Sequence, residues 1–402
     1  MDKTDHLKSD IAELIPALIV MRRDLHAHPE LAFEEVRTSG IVAQRLQSLG
    51  LEVQTGIAKT GVLGLLRGEA SKPGFRTIAI RADMDALPIH EMNNIEYRSS
   101  SDGKMHACGH DGHTAILLAV ADLLSRRRAE LTGNVKFVFQ PAEEYIGGAR
   151  LMVNEGVMKG VDGIIGLHLG ADRPFGTIGV RPGSVYASSD SFVLTVKGNG
   201  GHAAWPHASV DPIVIAASLI TALQTLTSRE TSPFSPAVIT IGQFIAGSAW
   251  NIIPETAELR GTVRSYSHEH REKLIRRIRE VANGIASVMG GRCEVTFLDG
   301  CPPCINDPDV TKIIRKASID AVGEEHVDDS EAVMACASDD MAIFLQTVPG
   351  CYCIVGAQNE QKGAIFPHHH SRFNIDEDAL PIGVEVLTRA ALEYLKETPS
   401  EF

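Results

Sequence analysis

Along this chain the pattern of apolar and polar positions changes twice. Residues 7–49 carry apolar side chains at helical spacing, with a break near His28-Pro29, where the proline bars the residue before it from helix. RTIAIRA (76–82), KFVFQ (136–140), GIIGLHL (163–169) and YCIVGA (352–357) are short, nearly continuous apolar runs, the mark of strands covered on both faces. Helical spacing returns in HTAILLAVADLLSRR (113–127), in GARLMVNEG (148–156), and near 308–321, 339–346 and 376–396. Strands alternating with helices predict an α/β domain: a mostly parallel sheet covered by helices.

From about Asp190 to Gly300 the strands read differently. SFVLTVKG, AVITIGQFIAG (237–247), TAELRGTVRSY (256–266) and CEVTFL alternate apolar with polar, so each has one face on a core and one on water. Two helices, 211–226 and 268–289, lie between them. Two strand-helix-strand units predict a small α+β sandwich. A chain of 402 residues exceeds what one hydrophobic core usually supports. Residues 1–187 and 300–402 are therefore expected to form one domain, interrupted by an inserted domain at 188–299.

Composition removes several functions. No apolar run approaches the roughly 18 residues of a membrane span. The N-terminus has no basic stretch leading into an apolar core and a cleavage site, so no signal peptide is expected and the expected compartment is cytoplasmic. Seven cysteines, an odd number, then read as ligands or packed thiols. A net charge of −13 argues against nucleic acid as a partner, and Arg126-Arg127-Arg128 reads as a helix-terminal cap.

Candidate chemistry gathers where strands end, which is where open α/β sheets place their sites. Asp83 and Asp85 follow RTIAIRA; Cys108, His110 and His113 open a helix in MHACGHDGHT; Glu143 and Glu144 follow KFVFQ. His168 ends GIIGLHL, and His368-His369-His370 follows YCIVGA. Thiolate, imidazole and carboxylate together suit zinc, manganese, cobalt or nickel, whereas magnesium and calcium sites use oxygen. CPPC (301–304) lacks the second ligand pair of a structural zinc cage and reads as a turn with packed thiols.

RADMDALPI (81–89), MHACGHDGHTA (105–115), FQPAEE (139–144), GLHLG (166–170), GGHAAWPH (200–207), NIIPETAELRGTVR (251–264) and HHHSRFNIDE (368–377) resemble, in order, the co-catalytic metallopeptidase family of aminoacylases and glutamate carboxypeptidases. Within it they are most similar to hippurate hydrolases, N-acyl amino acid amidohydrolases and auxin-conjugate hydrolases. This resemblance implies two divalent metal ions per subunit, held by Cys108, His110, Glu144, His168 and a C-terminal histidine. Counting back four from Phe373 selects His369, with His370 as the alternative because Ser371 replaces the usual proline. It further implies Glu143 as general acid/base, Asp85 as support for a ligand, and His202 as stabiliser of the oxyanion, in cis or across a dimer interface. Asn251 and Arg264 would hold the substrate carboxylate, for which a planar guanidinium is well shaped. Asp111 and His113 are expected to be supporting groups; Asp83 and His106 receive no role.

The activity so implied is hydrolysis of the amide of an N-acyl amino acid, acetyl, benzoyl or similar, to a carboxylic acid and a free amino acid. A homodimer or higher oligomer through the inserted domain is expected. A metallo-carboxypeptidase or dipeptidase on the same scaffold is the alternative enzyme, and a non-catalytic binding protein the alternative class. A base beside a complete ligand set has no use in a binding protein.

Overall fold

A computed structural model of the protein describes residues 3–70, 75–145, 147–298 and 300–396; the remaining positions of the expected first domain, 1–2 and 397–402 among them, lie outside these. The chain forms two units. One comprises the residues to Val185, Ile305–Val333 and those from Asp340; the other comprises Tyr186–Cys304 and Met334–Asp339.

The first unit is built on an eight-stranded sheet in the order Glu52–Ile57, Gly61–Leu66, Asn134–Gln140, Thr77–Asp83, Gly163–Pro174, Gly350–Gln358, Ile178–Gly179, Val327–Asp328. Its four central strands are parallel to one another, and the 52–66 hairpin is antiparallel. The apolar runs read from the sequence are these central strands. The hairpin escapes a periodicity reading because GVLGLL is short and carries two glycines. One of them is dictated by packing, since a Cβ on Gly64 would come within 2.9 Å of Leu46 on the covering helix.

Parallel strands run to one edge, so the segments that follow Asp83, Gln140 and Gln358 come together there beside the later half of the strand Gly163–Pro174. The helix His110–Arg126 begins three residues earlier than its apolar run suggests, and every residue from His110 to Leu124 is buried. It packs against the helices Lys3–Ala27 and Ala379–Lys396. Each fully buried Leu or Ile of such a helix contributes roughly 1.5–3 kcal/mol. The first turn is thus held rigidly by the core beneath it.

In the second unit four antiparallel strands run in the order Ala237–Ala246, Thr256–Ser265, Asp190–Lys197, Arg292–Phe297. The helices Pro212–Ser228 and His268–Val288 cover one face, capped by Asp211 and Ser267. Strict alternation of buried and half-buried residues along Asp190–Lys197 follows from that one-sided cover. Among the described residues no helix is long and apolar enough to cross a membrane.

Candidate metal centre

Three segments that follow strands of the first unit's sheet, and the strand Gly163–Pro174 itself, supply the site. Gly109, with φ 100°, lets the chain turn sharply between Cys108 and the helix that starts at His110. Cys108, His110 and Glu144 bring one ligand atom each within 4.8 Å of one another, and Cys108, His168 and His368 do the same. The Cys108 thiol, common to both groups, stands 3.6 Å from His168 Nε2. Glu144 Oε1 lies 3.2 Å from His369 Nε2, off the line of a hydrogen bond.

Of the three C-terminal histidines, His369 is the one turned to Glu144. Its backbone sits in the left-handed region, φ 64°, and its N–H donates to Ala107 O at 2.8 Å, tying this loop to the one that carries Cys108. His370 instead stacks on Phe366, and its Nδ1 accepts the Arg372 N–H at 3.0 Å. His368, to which the sequence reading assigns nothing, accepts the Ala171 N–H at Nε2, 3.1 Å.

Hydrogen bonds fix which imidazole nitrogen is available. His110 Nδ1 donates to Asp85 O at 2.8 Å, leaving a buried Nε2 with no hydrogen-bond partner. His168 Nδ1 donates to Leu169 O at 3.0 Å, which turns Nε2 toward Cys108. His113 is different: Nδ1 bonds Asp83 at 2.7 Å and Nε2 accepts the Leu169 N–H at 2.9 Å. Asp83, His110 and His113 also cluster closely. With both His113 nitrogens engaged, however, that cluster has one open imidazole, and it is His110. His113 is thus occupied at both nitrogens, with Asp83 as one of its partners.

Asp85 acts on the same loop from below. Its carboxylate accepts the N–H groups of Glu143 and Glu144, each at 3.0 Å, while its carbonyl orients His110. Asp85→Asn removes one acceptor from this clamp and should weaken metal affinity about 10–100-fold. Competition against a chelator measures it, and an unchanged affinity would contradict the role. Glu143 is buried beside this clamp, its Oε1 accepting the Asp340 N–H at 3.4 Å. His106 is buried with neither ring nitrogen hydrogen-bonded, and burial pushes its pKa down to about 3.

Burial and the Glu144 charge push the Cys108 thiol well above its ordinary range. Burial works against the charged form of His110, but the Asp83 carboxylate and the neighbouring Asp85 and Cys108 outweigh it and raise that pKa. His168 is held well below its ordinary value by burial and by its histidine neighbours. The Glu144 carboxylate raises His369. A cation held among these groups would oppose protonation of Cys108, His110 and His369.

In the second unit, His202 and Asn251 lie on paired segments. Gly201–His202 pairs with Ile252–Ile253, and Asn251 O accepts the Ala203 N–H. Both are exposed, with Trp205 5.0 Å from the His202 ring. Arg264 is half-buried on the strand Thr256–Ser265, across from Val238.

Residues 79–393 match the profile described as peptidase family M20/M25/M40. The chain is 40% identical over 400 residues to Thermostable carboxypeptidase 2 of Saccharolobus solfataricus, covering 98% of this chain and 99% of that protein. It is 40% identical over 380 residues to the N-acetylcysteine deacetylase of Bacillus subtilis, covering 94% and 97%. Among solved structures, the Bacillus subtilis YXEP protein, a dinuclear metal-binding peptidase of the M20 family, superposes with a TM-score of 0.83 at 37% identity. That superposition covers 96% of this chain and 99% of the YXEP chain.

Proposed function

The chain belongs to peptidase family M20/M25/M40 and is a metal-dependent amide hydrolase, and we propose that it cleaves N-acyl amino acids to a carboxylic acid and a free amino acid. The observation that carries the chemistry is the placing of Glu143 and Glu144 on one turn, with Glu144 grouped with Cys108 and His110. Similarity to a deacetylase over nearly the whole chain supports the substrate class.

Two divalent ions, zinc, manganese, cobalt or nickel, would be held by Cys108, His110, Glu144, His168 and His369. The donor set fits them: a buried thiol, carboxylate and imidazoles, with His110 Nε2 and Glu144 Oε1 lacking hydrogen bonds. When bound, the ions supply Lewis acidity that polarises the carbonyl and eases deprotonation of water. Glu143 takes the water proton on a carboxylate oxygen and returns it to the departing amine. Asp85 holds the main chain of both glutamates, so the working group stays beside the ligand without joining it. His202 stabilises the charge that develops on the carbonyl oxygen, and Asn251 and Arg264 hold the amino acid carboxylate.

Self-association through the second unit is part of this reading. Phe234 and Trp250 are almost wholly exposed there, and Val238, Phe244 and Ile245 add apolar surface on the edge strand Ala237–Ala246. All seven cysteines are free thiols, in keeping with a reducing, cytoplasmic setting.

Similarity to a carboxypeptidase over the full chain favours peptides as a second reading. N-acetyl, N-benzoyl and indole-acetyl amino acids, assayed beside dipeptides on enzyme stripped and reloaded with each metal, separate the two. The proposal expects a higher kcat/KM for an acyl amino acid than for any dipeptide. The reverse order would make the protein a peptidase.

A further inference from the structure

The turn that carries Glu143 is clasped from outside by a residue the ligand chemistry does not require. Asp340 stands at the start of the short helix Met341–Leu345, where an aspartate ordinarily caps its own helix, yet its side chain makes no such bond. It is fully buried, and its oxygens are turned to the residues on either side of Glu143. Oδ1 accepts from Gln140 Nε2 at 2.6 Å and from Arg81 at 3.1 Å, and Oδ2 accepts the Ala149 N–H at 3.1 Å. Its own N–H donates to Glu143 Oε1 at 3.4 Å. Gln140 ends the strand before the turn, and Ala149 lies in the first turn of the helix after it. Asp340 thus holds both ends of the turn and touches the carboxylate in the middle.

Charge and strain show why such a clasp is needed. Arg81, itself buried, bridges Asp340 to Asp83 at 2.7 Å and also bonds Gln140 Oε1 at 2.8 Å, so two buried carboxylates share one guanidinium. Buried ion pairs contribute little net stability, but breaking one leaves a buried charge uncompensated, which is strongly unfavourable. Ala142, next to Glu143, is held at φ 53°, a strained conformation for a residue with a Cβ, which persists only when its surroundings fix it.

We propose that Asp340, seated on Arg81, is a positioning residue that sets where the Glu143 carboxylate stands; this rests on reading Glu143 as the base. A misplacement of about 1 Å can lower a rate about 10²-fold. Asp340→Asn, whose amide cannot accept from every donor that now meets the carboxylate, should lower kcat of the metal-loaded enzyme about 10–100-fold, with KM and metal content unchanged. The decisive readout is a double-mutant cycle. In an Glu143→Gln background the same substitution should change the residual rate by no more than about twofold, because the group it positions is already gone. Gln140→Met, which removes one donor to Asp340 and keeps the buried charges paired, should show the same pattern with a smaller loss if Asp340→Asn fails to fold. Losses that multiply in the double variants, or an unchanged kcat, would overturn the proposal while leaving Glu143 as the base. Near-normal turnover by Glu143→Gln alone would overturn both.

Discussion

Glu143→Gln is expected to lower turnover by roughly 10²–10⁴-fold while the protein keeps its full metal content, the range lost when a positioned acid/base is removed. Two adjacent glutamates share the turn after the strand Asn134–Gln140, and their surroundings give them different work. Glu144 shares a ligand-distance group with Cys108 and His110, and it also meets His369. Glu143 is absent from that group; its main chain is held by Asp85 and its carboxylate by the Asp340 N–H. Glutamine keeps the shape and can still accept from Asp340, so the structure should be preserved while proton transfer is lost. KM should change little, since the interaction removed belongs to the transition state. Turnover near the wild-type value in metal-replete protein would exclude Glu143 as the base.

Cys108→Ala should have the largest effect on metal content, because its thiol joins the group with His110 and Glu144 to the group with His168 and His368. His369→Ala, which meets Glu144, should leave the Cys108–His168 side intact and lose less. The two variants, compared by elemental analysis after identical loading, should rank in that order, and equal metal retention by Cys108→Ala and wild type would refute the assignment. The buried thiol also predicts a pH dependence. Burial and Glu144 raise the Cys108 pKa, so in the absence of metal the proton stays on sulfur, and binding must expel it. Metal affinity of the wild type should therefore rise with pH, with a shallower slope in Cys108→Ala, which has no such proton to lose.

Much of this was legible in the chain because buried strands and helices impose periods on side chains. RTIAIRA, KFVFQ, GIIGLHL and YCIVGA needed no tertiary information to be read as strands, and a parallel sheet then places their following loops at one edge. The hairpin Glu52–Leu66 was silent, since two glycines, Gly64 packed against Leu46 and Gly61 against the Ile57 carbonyl, erase the pattern. Within the site, residue types pointed to candidate ligands but not to the contacts that surround them. The type and spacing of Asp83 and His113 do not show that they are bonded to each other, because which imidazole nitrogen meets which partner is a property of three-dimensional contacts. Arg81 did leave a signal: a charged residue inside a fully buried strand is rare unless paired. Asp340 left none, because an aspartate before a short helix ordinarily reads as a cap.

The central claim is that Cys108, His110, Glu144, His168 and His369 together hold two ions in the first unit. Anomalous diffraction from crystals of the metal-loaded protein, recorded at the absorption edge of the metal supplied, tests it most directly. Two peaks enclosed by those five side chains are predicted. A single peak coordinated by Asp83 and His113, or none at Cys108, would contradict the account.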